Sequence, residues 1–359
     1  MGYLRFYVAA LFWIVGLSLA TSAHAMMERD FDKNESGMVA NLAIWLQEPL
    51  LYVYRNYVHS GLEYRQRQVG DRQHTYLYRE GKLPGLLVMV HGVLARKEFY
   101  VSLVSEMVKS QKPLPTLFIP DLLAHGSQPY PVDQKMSLSS FTRHLAAFIR
   151  SIRKEYPKQP LYLMGHSLGG GFVLLLNPLH GIKHDGLILI SPAGLPNEEA
   201  QDFKARIEQA RGLPFDFGSS ELVQNYGCCF EKTGMLWNTV FWLASGVYDW
   251  LDCPIETAMK NKMFRDLERS RKHLMSSISS HEVLQRNLKK PVHLIWTQND
   301  RMFAPSRYEK LVGAMNETYT QLNCYREEGS HLWPYEHSDQ AAARVLDILE
   351  SLSTQPDQE

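Results

Sequence analysis

Residues 161–171 read LYLMGHSLGGG. The run LYLMG at 161–165 has the composition of a strand covered on both faces, and an apolar helical stretch begins at Leu168. Between them Gly165, His166, Ser167, Leu168 and Gly169 fit G-x-S-x-G. A serine at so sharp a strand-to-helix turn is held up from the sheet edge, and glycines two residues to either side relieve the crowding of its backbone. That context makes Ser167 the candidate nucleophile, against the alternative of a structural serine. His166 adjoins it, but should point away from it, and is read as a packing residue rather than a base.

Outward from this turn the chain repeats strand then helix. LLVMV at 86–90 precedes the helix-compatible FYVSLVSEMVKS, and TLFIP at 116–120 precedes SLSSFTRHLAAFIRSIRKEY. LILIS at 187–191 is the next strand. The rhythm resumes with VHLIW at 292–296 and TQLNCYRE near 319–326, and it closes on a helix through AAARVLDILESL. Ahead of these units YRQRQVG and RQHTYLYREG alternate as a hairpin would. Such an order implies an α/β fold: a mostly parallel central sheet with right-handed crossovers, flanked by helices.

Residues 194–288 break the rhythm with charged helical stretches and the aromatic run GMLWNTVFWLASGVYDWL. They are read as a helical cap inserted between two sheet strands, over the carboxyl ends where open α/β sheets bind ligands. The expected division is therefore a core of 62–193 and 289–351, a cap of 194–288, and a flexible polar tail of 352–359. An N-terminal helical extension spans 26–61, with Pro49 as its break. Residues 1–25 read as an export signal: Arg5, the apolar run Tyr7–Ala20, and small residues in TSAHA up to Ala25. Retention of residues 2–23 as a membrane anchor is the alternative. Either reading implies an exported protein, secreted or in a bacterial periplasm, or held at the inner membrane with contact to its surface.

A formal net charge of +0 offers no field for a polyanion, which argues against nucleic acid. Of the four cysteines, Cys228 or Cys229 with Cys253 is a plausible bridge, free thiols are the other reading, and Cys324 stands apart. Their spacing does not suggest zinc, and no cofactor or metal is expected.

The remaining chemistry lies at the ends of other strands. VMVHGVLARKEF at 88–99 ends a strand in His91-Gly92. The backbone amides of Val93 and Leu168 are the candidate oxyanion donors, because amides stabilise a developing negative oxygen without a charge to desolvate. A plain tight turn at His91 and Gly92 is the alternative. Asp300 follows a buried strand and is the candidate acid; Glu327, Glu328 and Asp252 are weaker. His331 follows the last strand and is the candidate base, preferred over His337, which reads as the start of the final helix. Asp121, His125 and Gly126 in IPDLLAHGSQP are assigned to loop stability.

Six blocks then carry a resemblance: HGVLARKEFY at 91–100, Asp121 to Gly126, GHSLGG at 165–170, SPAGLP at 191–196, IWTQND at 295–300 and SHLWPYE at 330–336. From Leu62 to Ser351 the chain resembles the α/β-hydrolase superfamily, and within it the monoacylglycerol lipase and esterase branch, including membrane-associated lipases. The resemblance implies nucleophile Ser167, acid Asp300, base His331 and oxyanion amides at Val93 and Leu168. It departs at Ser330, where glycine commonly precedes the base, and at Ser338, where proline often stands.

The implied activity is hydrolysis of carboxylic esters, acylglycerols or other medium to long acyl esters, by a Ser-Asp-His triad. Small-molecule esters or lipids are then the partners. Trp237, Phe241 and Trp242 in the cap are candidates to line an acyl groove, the other reading being that such rings only bury the cap against the core. A peptidase or thioesterase with the same triad, and a non-catalytic lipid-binding envelope protein, are the alternative functions.

Overall fold

Every core strand read from an apolar run becomes part of one sheet. The computed structural model describes residues 56–92, 95–123, 125, 128, 137–193, 290–300, 303, 305, 306, 308, 309, 312 and 321–354. The readings for the leader, nearly all of the N-terminal extension, the cap, Val93, Gly126, Cys228, Cys229, Cys253, Trp237, Phe241 and Trp242 lie outside these residues. The eight strands are β1 (Glu63–Val69), β2 (Arg72–Arg79), β3 (Leu86–Val90), β4 (Thr116–Pro120), β5 (Leu161–His166), β6 (Gly186–Ile190), β7 (Val292–Thr297) and β8 (Leu322–Glu327). Their spatial order is β1-β2-β4-β3-β5-β6-β7-β8. The hairpin β1–β2 is antiparallel, β2 runs antiparallel to β4, and every pairing from β4 to β8 is parallel.

Parallel strands need crossovers, and these place helices on both faces. Among the described residues the helices flanking the sheet are α1 (Val101–Lys109), α2 (Leu138–Glu155), α3 (Leu168–His180), α4 (Trp333–Glu336) and α5 (Ser338–Thr354). On one face Leu86, Val88 and Val90 of β3 join Phe141, Phe148 and Ile149 of α2 and Phe172 and Leu176 of α3. On the other, Leu87 and Met89 join Leu103 and Met107 of α1 and Val345 and Leu349 of α5. Alternation along a single strand feeds both cores, so the strand itself must be apolar throughout. Full burial of one such side chain contributes about 1.5–3 kcal/mol.

Local chemistry sets several element ends. The Ser137 hydroxyl accepts the Ser140 amide at 3.0 Å and caps α2. α5 runs past Ser351, where the flexible tail is expected to begin, and reaches Thr354. Leu352 is buried there, and a Cβ placed on Gly186 would come within 2.8 Å of its side chain. β6 stops at Ile190 rather than Ser191, because Ser191 has φ 40° and leaves the extended region. Among the described residues no helix is long and apolar enough to cross a membrane.

Candidate active site

β5 ends in the turn that carries Ser167. This residue has φ 52° and ψ −123°, a conformation costly for a residue with a Cβ. Surrounding hydrogen bonds hold it: its amide donates to Ile190 O at 3.0 Å, and its carbonyl accepts from Ala193 N at 2.9 Å and Gly171 N at 3.2 Å. The flanking glycines are required by close approach. A Cβ on Gly165 would lie 2.5 Å from Gly169 O, and one on Gly169 would lie 2.3 Å from Val90 O. Leu168 opens α3, so its amide is among the first-turn donors that have no carbonyl partner inside the helix.

β3 delivers the neighbouring turn. His91 Nε2 accepts the Leu122 amide at 3.1 Å, which leaves its proton on Nδ1, 2.8 Å from Gly92 O. Burial, reinforced by nearby His125, pushes the ring's pKa down to about 3, so His91 is neutral and fits that tautomer. Asp121, at the end of β4, holds the same loop from below. Its Oδ2 accepts Lys97 Nζ at 2.7 Å and Thr75 Oγ1 at 2.9 Å, and its Oδ1 accepts Lys97 N at 2.9 Å. The loop-stabilising assignment of Asp121 thus takes the form of a buried ion pair. Lys97 lies inside the HGVLARKEFY block, but the motif gives it no role, and only its burial reveals one.

β7 and β8 bring two further side chains together. His331 Nδ1 lies 2.9 Å from Asp300 Oδ2, and Phe303 N donates to Asp300 Oδ1 at 2.8 Å. Burial alone would push the Asp300 carboxyl up, but the His331 imidazole and the Phe303 amide outweigh it. The Ser191 hydroxyl adds a pull without closing a hydrogen bond of ordinary geometry. The carboxyl consequently sits below its usual range and is ionised at neutral pH.

The rival acids and base are placed differently. Glu327 binds Arg344 Nε at 2.7 Å, Glu328 is exposed, and Asp252 lies outside the described residues. His337 follows α4, with its amide on Trp333 O at 2.9 Å. Ser330 stands where glycine commonly precedes the base in the family this chain resembles. Its hydroxyl accepts the Leu332 amide at 3.0 Å and donates to Glu336 Oε1 at 2.7 Å, bracing the turn into α4. The strand-to-helix serine, the His-Gly turn and the Asp–His pair therefore all stand at the carboxyl ends of parallel strands. His166 is buried, as a packing residue should be, but it also bonds the main chain of His331 at 2.7 Å.

Sheet order, crossovers and this serine turn define the class: the molecule has the α/β-hydrolase fold. A protein-family model described as "Serine aminopeptidase, S33" matches residues 81–216, a span that includes Ser167 and stops before Asp300 and His331. Rat monoglyceride lipase is 33% identical over 87 residues, covering 23% of this chain and 28% of that protein, so the chain spans little more than a quarter of that relative's length in the match. Human monoacylglycerol lipase ABHD6 is 22% identical over 330 residues, 88% of this chain and 90% of that protein. Among solved structures, a candidate lipase from Acinetobacter baumannii AYE superposes with a TM-score of 0.63 at 14% identity, covering 91% of this chain and 99% of that one.

Proposed function

We propose that this protein is a serine hydrolase of carboxylic esters, with Ser167 as nucleophile, His331 as base and Asp300 as acid. The observation that carries the reading is the buried Asp300–His331 hydrogen bond on the same sheet edge as a serine in a strained strand-to-helix turn. Asp300 accepts from Nδ1 and so fixes the tautomer that leaves Nε2 to take a proton. In the reaction His331 removes the Ser167 proton as Oγ attacks the ester carbonyl. The amides of Leu168 and Val93 are the proposed donors to the oxyanion. His331 then protonates the departing alcohol, and water cleaves the acyl-enzyme by the same base.

Acylglycerols or other medium to long acyl esters are the proposed substrates. This rests on the likeness to monoglyceride and monoacylglycerol lipases and on the aromatic run containing Trp237, Phe241 and Trp242. Export, with contact to a membrane surface, is proposed from the apolar leader alone. A peptidase is the second reading, favoured by the description of the family model. The test is hydrolysis of p-nitrophenyl esters from C2 to C16 by the protein beside its Ser167→Ala variant. Activity that peaks at C8 or longer and vanishes in the variant supports the lipase reading. A C2 to C4 peak limits it to small esters, and turnover of peptides alone favours the second reading.

A further inference from the structure

His166 is one residue from the nucleophile in sequence, yet its side chain belongs to the base loop. The ring is buried, stacks on Phe99 with centroids 5.0 Å apart, and tilts toward His331 at 4.8 Å. Its Nε2 lies 2.7 Å from the main-chain carbonyl oxygen of His331, 165 residues along the chain. A carbonyl oxygen only accepts, so the proton must sit on Nε2. Burial, followed by the nearby His331 imidazole, pushes the ring's pKa down to about 3; Asp300 pulls the other way without reversing this, and His91 adds to it. The ring is therefore neutral, with its single proton committed to that bond.

The other ring nitrogen shows that packing alone does not account for this residue. Nδ1 is buried and has no hydrogen-bond partner among the described residues. It faces the His-Gly turn, where a Cβ on Gly92 would come within 3.2 Å of it and within 3.0 Å of Ser167 Cβ. An unpaired buried nitrogen is a net cost that a phenyl ring stacked on Phe99 would avoid. What a phenyl ring lacks is the Nε2–H donor.

We propose that His166 is a positioning residue: its Nε2–H, donated to the His331 carbonyl, ties the base loop to the serine turn and sets the imidazole between Asp300 and Ser167. The inference rests on the proposed roles of Ser167 and His331. Both anchors are stiff, since the serine turn is held from β6 and α3 and the base loop is braced by Ser330 and by Asn299 N on Gly329 O at 3.1 Å. A bond between two stiff loops transmits placement directly, and misplacement of catalytic groups by about 1 Å costs about 100-fold in rate.

The experiment compares the full chain with His166→Phe, His166→Gln and His166→Asn on the best p-nitrophenyl ester, with kcat, KM and thermal midpoint measured for each. Glutamine puts an N–H where Nε2 was, whereas asparagine puts one where Nδ1 was. The expected result is a fall in kcat of about 10-fold to 100-fold for Phe and Asn at nearly unchanged KM. Glutamine should recover most of it, and the Phe variant should be no less heat-stable. Equal kcat in the Gln and Asn variants, or a folded Phe variant within twofold of the parent, overturns the proposal. If Phe does not fold, the Gln–Asn pair decides. His331→Ala and Ser167→Ala run in parallel: if these keep turnover the triad itself fails, and if they lose it while His166→Phe keeps it only the positioning role fails. If no ester is turned over, the rate of fluorophosphonate labelling at Ser167 replaces kcat; absence of labelling sinks both.

Discussion

Two aspartates occupy equivalent places in this fold and do different work. Asp121 follows β4 and Asp300 follows β7, both buried at the carboxyl ends of parallel strands. Each accepts a backbone amide on one oxygen and a cationic or ionisable side chain on the other. The partner makes the difference. Lys97 is almost wholly enclosed, at 2% side-chain exposure, and although burial alone would lower its pKa, the Asp121 and Glu98 charges raise it above the usual lysine value. It stays charged and fixed, a staple. The His331 side chain keeps 10% exposure and carries an imidazole rather than a fixed cation. The same carboxylate thus locks a loop in one place and, on the proposed mechanism, orients a base in the other.

The largest expected effect breaks the second pair. Asp300→Asn should lower kcat by about 10³–10⁴-fold, because the amide neither fixes the tautomer nor stabilises the imidazolium. Ester kinetics at pH 7 check it, and an unchanged rate would remove Asp300 from the chemistry. The matching substitution in the first pair should act on stability instead. Asp121→Asn leaves the enclosed Lys97 with only the half-exposed Glu98, 3.0 Å away, as counter-charge and should cost about 3 kcal/mol in urea unfolding. Adding Lys97→Met should restore part of that loss, since no buried cation then remains. If Asp121→Asn cut turnover per folded molecule as deeply as Asp300→Asn, the distinction between staple and orienter would collapse.

Proton titration sharpens the contrast at smaller scale. Because the Lys97 pKa is raised, the ion pair's contribution is fully present below the ordinary lysine range and is lost only as pH climbs past the raised value. Between pH 6 and 9 it should not change. The acid side belongs to buried histidines such as His74 and His144, stacked 3.9 Å apart, whose pKa values burial pushes down to about 4 and about 3. The unfolded chain takes up protons on these rings near pH 6.5 while the folded chain does not, so stability falls as pH drops from there toward 4. Urea midpoints across pH 5–7 should decline, and His144→Phe should remove on the order of 1 kcal/mol of that decline. Smallest of all, Ser330→Gly should cost about 1 kcal/mol or less by removing the brace on the turn into α4, with a fall in kcat smaller than that of His166→Phe. A thermal melt and an ester assay on the one variant test both halves.

What was legible in the sequence follows from where each element is buried. β3 and β4 are buried on both faces, and their apolar runs match the observed bounds; β5 and β7 do so within a residue. β8 is an edge strand, half-buried with exposed Asn323 and Arg326. Its apolar signal is weak, and the observed start at Leu322 falls inside the stretch read for it. The end of the final helix is not legible because its last turn is polar apart from Leu352, which packs near Gly186 of a distant strand.

The sequence by itself determined the elements, the strained turn at Ser167 and the chain order serine, aspartate, histidine. These are matters of local sterics and side-chain period, which act over a few residues and so leave their mark in adjacent letters. Only the tertiary structure decided which groups meet. Asp300 finds His331 across 31 residues, Lys97 finds Asp121 across 24, and His166 reaches the main chain of His331 across 165. Those distances close because the sheet sets β4, β3, β5, β6, β7 and β8 side by side and brings their carboxyl ends to one edge. A hydrogen bond needs its partners within about 3 Å, and nothing in a linear neighbourhood can specify that.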